Sequence, residues 1–241
     1  MRQLAQRDSR LGFLEDHRRW RFVHDSLWTY HAEMSGFGLP VGRRMAAVKR
    51  ATGRWALFSP VPLDADARSR LDRGGGVDTL VVPTGFHNRF VAESAEAFPE
   101  ATIYLAGGAK RHGLPQSRCH ELAEAEWDDD LEALPLEGMS GVHEVTFHHK
   151  PSASLIVGDL CINVDERYPF LTRTLFRLVG AYPGPRTSKF FLSMIRDRKA
   201  FLASLDRILE REFDRVVVSH GVTIDCGGRE AVLATRRQVA R

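Results

Sequence analysis

The stretch from Glu144 to Leu160, EVTFHHKPSASLIVGDL, holds two short apolar runs separated by a histidine pair and a proline. Runs of this length, bounded by turn residues, are typical of strands. The second run ends at Gly158-Asp159, so a carboxylate directly follows a predicted buried strand. Because neighbouring side chains of a strand point to opposite faces, we expect His149 to face a site and His148 to serve the strand.

The rest of the chain alternates between strand-like and helix-like segments. Short β segments at residues 22–34, 43–51 and 54–63 predict an antiparallel meander near the N-terminus. Strand patterns at 77–83, 101–107 and 214–221 are separated by helical patterns at 64–74, 88–99, 167–182 and 195–213, and a helix at 227–239 closes the chain. This order indicates an α/β fold with helices packed against sheets. We assign residues 1–20 to an N-terminal extension and 21–241 to a single domain.

Composition narrows the classes of partner and compartment. The net charge is +3, from 34 basic and 31 acidic residues, so a basic surface for nucleic acid or for anionic lipid is not expected. Cys119, Cys161 and Cys226 are odd in number and far apart, which favours a reducing compartment over a disulfide framework. No stretch has the length and apolarity of a signal peptide or a membrane span. These features predict a cytoplasmic protein that acts on a small molecule.

Imidazoles and one carboxylate follow several predicted strands. His87 follows DTLVVP, the pair His148-His149 follows VTF and contributes His149, Asp159 follows SLIV, and His220 follows DRVVVS. Because the ends of strands in one sheet converge, these four side chains are candidates for a single metal site. Imidazole nitrogens with one carboxylate suit zinc, and they also suit iron or manganese. Each residue taken singly also has a structural interpretation, as a hydrogen-bonded loop residue or a turn cap.

The order of these elements resembles the metallo-β-lactamase fold, an αββα sandwich in which two packed mixed sheets are flanked by helices. It resembles more closely the DUF4336 branch of that superfamily. The resemblance runs from about Phe22 to the C-terminal helix. It rests on RWALFSPVPLD, LVVPTGFHNRF, FPEATIYLAG, FHHKPSASLIVGDL and FDRVVVSHG.

The resemblance implies a reduced metal site. Metal-binding members of the superfamily carry an H-x-H-x-D-H loop, and GFHNRF provides only its second histidine, His87; Gly85, Arg89 and Phe90 stand at the other ligand positions. The remaining matches are His149, Asp159 and His220. We therefore expect a mononuclear site made of these four residues, and we do not expect a two-metal clamp.

These features lead to three hypotheses of function. The first is a hydrolase of an ester, lactone, thioester or phosphoester that uses one divalent metal, zinc before iron or manganese. In it Asp159 is catalytic, Arg89 binds an anionic group of the substrate, and Asn163 and Arg44 support the pocket. The second is a degenerate scaffold, without metal or turnover, that binds a small molecule or a protein. The third is an iron-dependent oxidoreductase.

Overall fold

The computed structural model describes residues 20–36 and 38–240. The predicted N-terminal extension, apart from Trp20, lies outside the described residues. The strands of the described chain are β1 (Trp20–His24), β2 (Leu27–Ala32), β3 (Ser35–Gly36), β4 (Leu39–Pro40), β5 (Arg43–Lys49), β6 (Trp55–Phe58), β7 (Val77–Val82), β8 (Thr102–Leu105), β9 (Cys119–Glu121), β10 (Leu131–Leu136), β11 (Glu144–His149), β12 (Ser154–Val157) and β13 (Arg215–Val218). The helices are α1 (Ala65–Arg73), α2 (Val91–Ala97), α3 (Phe170–Leu178), α4 (Lys189–Leu192), α5 (Arg198–Leu209) and α6 (Gly228–Ala240).

The strands form two large sheets and one short hairpin. The first sheet has the order β1-β2-β5-β6-β7-β8-β9, and the second has the order β10-β11-β12-β13. Strands β1, β2, β5 and β6 are antiparallel neighbours, as the predicted meander requires, whereas β6 to β9 are parallel. In the second sheet β10, β11 and β12 are antiparallel neighbours, and β12 and β13 are parallel. Both large sheets are therefore mixed.

Among the described residues, three of the four apolar clusters lie between the layers. One lies between α1 and α2 and the first sheet, and includes Leu71 and Leu80. A second lies between the two sheets, where Phe58 of β6 meets Phe147 of β11 at a ring-centroid distance of 4.7 Å. A third packs α5 and α6 on the second sheet. The layer order is helix, sheet, sheet, helix, which confirms the predicted αββα sandwich.

Local sequence explains the helix boundaries. The side chain of Asp64 accepts a hydrogen bond from the backbone N–H of Ala67 and begins α1, and Asp197 does the same for Ala200 at the start of α5. Such caps satisfy N–H groups that have no partner within the helix. None of the helices among the described residues is long and apolar enough to cross a membrane.

The polar segment from 110 to 140 contributes strands to both sheets. It contains β9 and β10, of which β10 pairs with β11 along its full length. Strand β10 forms one edge of the second sheet, and Leu131, Leu134 and Leu136 are its buried residues. A half-exposed edge strand needs few apolar residues, so its signal was lost among the acidic residues.

Candidate metal centre

His87, Asp159 and His220 meet at one edge of the sandwich. Nε2 of His87 lies 3.5 Å from Oδ2 of Asp159, and Nε2 of His220 lies 3.7 Å from Oδ1 of the same carboxylate. One ligand atom from each residue lies within 4.8 Å of the others. Among the described residues, no other group of three or more potential ligands has this spacing.

The spacing suits a bound cation. Ligands of a tetrahedral zinc ion at its usual bond lengths are about 3.3 Å apart, close to the two separations between imidazole and carboxylate. Nε2 of His87 and Oδ2 of Asp159 are buried and have no hydrogen-bond partner among the described residues. Buried polar atoms without a partner are costly, and a metal ion between them would satisfy both.

The other ring nitrogen of each histidine is held by a neighbouring group. Nδ1 of His87 lies 2.6 Å from Oγ of Ser59, and Nδ1 of His220 lies 3.1 Å from the carbonyl oxygen of Gly42. A proton on Nδ1 of His220 is donated to that carbonyl, which leaves Nε2 unprotonated and ready to bind a metal. The hydroxyl oxygen of Ser59 can accept a hydrogen bond from Nδ1–H of His87 in the same way.

Ser59 itself has an unusual backbone. Its φ is 55°, in the left-handed region that non-glycine residues seldom adopt. It directly follows β6, and its backbone N–H donates to the carbonyl of Val81 in the neighbouring strand β7. The conformation holds its hydroxyl against His87. Strain of this kind is concentrated at functional sites.

Burial and charge set the protonation states of the centre. Burial lowers the pKa of His87 and brings that of His220 to about 4. Burial alone would raise the pKa of Asp159, but the electrostatic effects of His87, His220 and Arg43 more than offset this and hold it well below its usual range. Near neutral pH the centre thus offers two neutral imidazoles and one carboxylate, the protonation states that metal binding requires.

Glu144 is a part of the site that sequence reasoning missed. Its side chain is fully buried, and its two carboxyl oxygens accept hydrogen bonds from the backbone N–H groups of Gly158 at 2.9 Å, Asp159 at 2.7 Å and Leu160 at 3.2 Å. Burial raises the pKa of Glu144 to about 8, and the nearby charge of Asp159 acts in the same direction, against the three N–H bonds. Glu144 therefore fixes the turn that carries the metal-facing carboxylate.

Glycine at position 158 permits this close approach. A Cβ atom there would lie 2.8 Å from Cγ2 of Thr84 and 3.1 Å from Oε2 of Glu144. Thr84 also forms an isolated β-bridge with Glu144, and its carbonyl accepts from the backbone N–H of His87. The turn after β12 and the loop after β7 are therefore locked to each other.

The structure does not bring His149 to this centre, which corrects the four-ligand expectation. β11 runs antiparallel to β12, so His149 lies opposite Ser154 at the start of β12, whereas Asp159 follows the far end of that strand. The length of β11 from Glu144 to His149 is about 17 Å. The shared edge of the sheet is reached by the first residue of β11, Glu144, and not by the last.

His149 is instead enclosed by polar groups at the opposite edge. Its Nε2 lies 3.0 Å from Oγ of Ser26 and its Nδ1 lies 2.7 Å from Oγ of Ser152. Its partner in the pair, His148, is also buried, and Nε2 of His148 lies 2.9 Å from the carbonyl oxygen of Glu212. Both histidines therefore make structural hydrogen bonds.

The other predicted residues surround the centre or brace it. Arg89 is exposed, donates to the carbonyl of Ser35 at 3.3 Å and stacks on the ring of Phe90. Arg44 is buried and donates to the carbonyl of Gly221 at 3.2 Å. Asn163 donates its side-chain amide to the carbonyl of Val222 at 2.7 Å. Arg44 and Asn163 thus hold the backbone that carries His220.

The neighbour of Arg44 on β5, Arg43, belongs to the centre electrostatically. Its positive charge acts on His87, on His220 and on Asp159. It is 5% exposed, and its Nε and Nη1 atoms have no hydrogen-bond partner among the described residues. Because neighbouring side chains of a strand point to opposite faces, the side chains of Arg43 and Arg44 lie on different faces of β5.

A cavity of about 820 Å³ lies beside the centre. Gly42 connects the cavity to the centre, because it lines the cavity and its carbonyl oxygen lies 3.1 Å from Nδ1 of His220. Gly42 directly precedes Arg43 in the sequence. The other walls of the cavity come from β2, from the segments around β3 and β4, from residues 62–64 and from Tyr168-Pro169. The cavity is large enough for a small organic molecule.

Comparisons with known proteins agree with this architecture. The chain is similar to a metallo-beta-lactamase from Pontibacter korlensis, with 14% identity over 90% of this chain and 98% of that chain and a TM-score of 0.59. It is similar to the metallo-beta-lactamase FIM-1 from Pseudomonas aeruginosa in its mono-zinc form, with 12% identity over 92% and 94% and a TM-score of 0.59. The Flv1 flavodiiron core from Synechocystis matches with 11% identity over 92% and 60% and a TM-score of 0.62.

Identities this low show the fold alone. A comparison with curated protein sequences finds no match. The family model described as Domain of unknown function (DUF4336) matches residues 24–181, a range that includes His87, Glu144 and Asp159 and ends before His220. The chain therefore belongs to the DUF4336 family and has the metallo-β-lactamase fold.

Proposed function

We propose that this protein is a metal-dependent hydrolase that holds one divalent ion with His87, Asp159 and His220. The observation that carries the proposal is the convergence of three ligand atoms within 4.8 Å of one another. Its substrate class is a small ester, lactone, thioester or phosphoester. Zinc is the metal we expect first, ahead of iron or manganese.

Three protein ligands suit catalysis better than the four expected from the sequence. Structural zinc sites are closed by four protein ligands, whereas catalytic sites have three and keep a position for water or substrate. Without His149 the set is two imidazoles and one carboxylate. A divalent ion bound there would lower the pKa of its water and polarise a carbonyl or phosphoryl oxygen.

The protein's own groups have distinct tasks in this proposal. Gly42 and Ser59 hold the rings of His220 and His87, and Nε2 of each ring faces the carboxylate of Asp159, where the two imidazoles would hold the ion. Asp159 offers two oxygens, of which one would hold the ion and the other could accept a hydrogen bond from a water molecule beside it. Glu144 keeps that carboxylate in place through the backbone of residues 158–160.

Access to the centre is one-sided. The His87 side chain is fully buried, whereas the side chains of His220 and Asp159 are 13% and 15% exposed. Substrate therefore approaches from the side of Asp159 and His220. The cavity beyond Gly42 would receive the part of the substrate that does not react.

The donor set supports a second candidate, an iron-dependent oxidoreductase. Two histidines and one carboxylate with open positions form a set that non-haem iron(II) enzymes use. The identity of the bound metal and the visible absorbance of the purified protein separate this candidate from the zinc hydrolase. A scaffold without turnover would hydrolyse none of these substrates, whether or not it binds a metal ion.

The decisive measurement is the metal content of tag-free protein purified without added metal or chelator, by inductively coupled plasma mass spectrometry. We expect about one zinc, iron or manganese ion per chain, lost in Asp159→Asn and His220→Ala while circular dichroism shows the fold intact. His149→Gln is the matched control and keeps its metal, because His149 lies at the other edge. No metal in the parent chain, even after reconstitution, would refute the proposal; a bound metal would justify a screen of esters, lactones and phosphoesters.

A further inference from the structure

Exposed apolar side chains are concentrated on helix α3 and at the start of α4. Among the described residues five large apolar side chains are exposed, and four of them belong to these two helices: Phe170 at 68%, Leu171 at 62%, Leu178 at 72% and Phe190 at 59%. Single exposed apolar residues are common on protein surfaces, whereas a group of them marks a surface that another molecule covers. Their concentration in one segment therefore indicates an interaction surface.

The exposed apolar residues of α3 lie on one face of the helix. With 3.6 residues per turn, Phe170, Leu171 and Leu178 fall within an arc of about 100°. The opposite face carries Thr172 and Phe176, which are buried. Phe176 packs in an apolar cluster of the fold. The inner face thus fixes the helix, and the outer face points to solvent.

The start of α4 extends this outer face. The backbone N–H of Lys189 donates to the carbonyl of Val179 at 2.8 Å. The Lys189 side chain lies over Gly180, where a Cβ atom would be 2.9 Å from Cγ of the lysine. The α3 patch is the surface made of Phe170, Leu171, Arg177, Leu178, Lys189 and Phe190.

The α3 patch lies in a segment whose charged side chains are all basic. Residues 168–190 contain no acidic side chain and four basic ones, Arg173, Arg177, Arg186 and Lys189. The chain as a whole has a net charge of +3, so the residues outside this segment together carry −1. None of the four basic side chains forms an ion pair with a described residue, whereas Arg236 of α6 pairs with Asp206. The segment therefore presents positive charge that the described fold does not compensate.

We propose that the α3 patch docks the protein on an anionic lipid bilayer. The apolar side chains would enter the boundary between headgroups and acyl chains, while Arg177 and Lys189 would contact the anionic headgroups. Elements that place Phe and Leu beside Lys and Arg bind lipid surfaces through this combination. The net charge of the whole chain did not predict a lipid surface, because the other residues offset the basic segment.

Two other occupants fit the α3 patch less well. A two-fold dimer would pair the patch with itself and place Arg177 and Lys189 of one copy opposite like charges of the other. A protein partner would need acidic groups and a fitted pocket for each protruding apolar side chain. A fluid bilayer accepts such side chains without a fitted pocket.

The α3 patch adjoins both the cavity and the candidate metal centre. Pro169, which lines the cavity, directly precedes Phe170. The ring of Phe190 packs on that of Phe86 at a centroid distance of 5.4 Å, and Phe86 directly precedes His87. Docking would therefore bring the cavity and the centre close to the bilayer, although docking itself needs no metal.

Co-sedimentation of the full chain with lipid vesicles tests the docking surface. Vesicles of phosphatidylcholine with about one third phosphatidylserine are the probe, and vesicles of phosphatidylcholine alone are the reference. We expect the chain to bind the anionic vesicles and to bind the neutral ones much less. Binding should weaken as added salt shortens the Debye length from about 8 Å to about 3 Å.

Charge reversal tests the basic part of the α3 patch. Arg177→Glu combined with Lys189→Glu should weaken binding to anionic vesicles about 100-fold or more, because each basic residue near the lipid contributes roughly 5-fold. Arg73→Glu combined with Lys150→Glu is the matched control: it changes the net charge equally at two exposed residues outside the segment. We expect this control to bind nearly as well as the parent chain.

A second pair of variants tests the apolar part. Phe170→Ser should weaken binding about 10-fold, because it removes a large apolar side chain from the lipid contact. Phe22→Ser is its control, since Phe22 is the exposed large apolar residue outside the segment; it should bind like the parent. Both positions are exposed, and circular dichroism should show the same fold in all variants.

Three results would overturn the inference. The first is no sedimentation with anionic vesicles at about 0.15 M salt, which would leave a protein with an acidic surface as the occupant. The second is equal vesicle affinity in the charge-reversed variant at Arg177 and Lys189 and in its control. The third is a dimer of the parent chain, detected by light scattering and lost in that variant, which would assign the α3 patch to a second copy.

Metal content, measured on every sample, keeps the two proposals apart. Binding to anionic vesicles is expected with and without metal, because none of the proposed ligands belongs to the α3 patch. A chain that binds vesicles but never binds metal would refute the hydrolase and leave the docking surface standing. A chain that binds metal but no vesicles would refute the docking surface alone.

Discussion

Replacing His149 with glutamine is expected to reduce the loss of stability that acid causes. The ring of His149 is 1% exposed and lies between hydroxyls of Ser26 and Ser152. Burial lowers its pKa to about 4; the nearby histidines His24 and His148 act in the same direction, and Asp130 acts against them. The folded protein therefore holds this ring in its neutral form.

The sign and size of the effect follow from proton linkage. The unfolded chain binds a proton at this histidine with a pKa of roughly 6.5, whereas the folded chain does so only near 4. The unfolded state therefore binds more protons between these values, and stability falls as the pH drops through that window. For one such group the free energy of unfolding decreases by about 2 kcal/mol between pH 8 and pH 5.

Urea unfolding at both pH values measures this loss for the parent chain and for His149→Gln. The variant should lose about 2 kcal/mol less than the parent on acidification, whatever its absolute stability at pH 8. His120→Gln, which removes a half-exposed imidazole, should match the parent. An equal pH dependence in His149→Gln and the parent would refute the assignment of His149 as a buried neutral residue.

Three further predictions concern residues outside the proposed set of metal ligands. Glu144→Ala removes the acceptor of three backbone N–H groups, and urea unfolding should show a loss of roughly 3–5 kcal/mol; a loss below about 1 kcal/mol would contradict the bracing role. Ser59→Ala removes the partner of Nδ1 of His87, and competition with a chromogenic chelator should show metal affinity reduced about 10-fold to 100-fold, with exposed Ser193→Ala as the unaffected control. In native protein Ellman's reagent should modify exposed Cys226 rapidly, and Cys119 and Cys161 only after denaturation, because burial raises the pKa of both thiols, that of Cys161 to about 12; rapid reaction of a second thiol would contradict the packing.

The layers of the fold could be predicted because each depends on a local pattern. Short runs that are largely apolar, such as Val77–Val82 with its Leu80-Val81-Val82 end, mark strands that are covered on both faces, and spaced apolar residues mark the helices that cover them. The direction of a strand relative to its neighbour has no comparable local signal. β11 is antiparallel to β12, while β12 is parallel to β13, and this choice decides which strand ends share an edge.

The candidate site was predicted only in part, because strand direction decides which strand ends meet at one edge. Asp159 and His220 follow strands that run parallel, so both reach one edge, and the assumption of shared ends held for them. It did not hold for His149, and it concealed Glu144, which begins its strand and reads in sequence as an ordinary strand residue.

The centre requires both sheets to be folded and packed. His87 follows a strand of the first sheet, whereas Asp159 and His220 follow strands of the second. Bonds across the junction fix their separation: the bridge of Thr84 with Glu144 on one side, and the backbone N–H of Arg44 to the carbonyl of Ser219 on the other. A metal ion that binds all three side chains therefore binds only the packed state and stabilises it by mass action. Loss of packing between the sheets would separate the ligands even if each sheet kept its strands, so the chemistry proposed here depends on the interface between the sheets and not on either sheet alone.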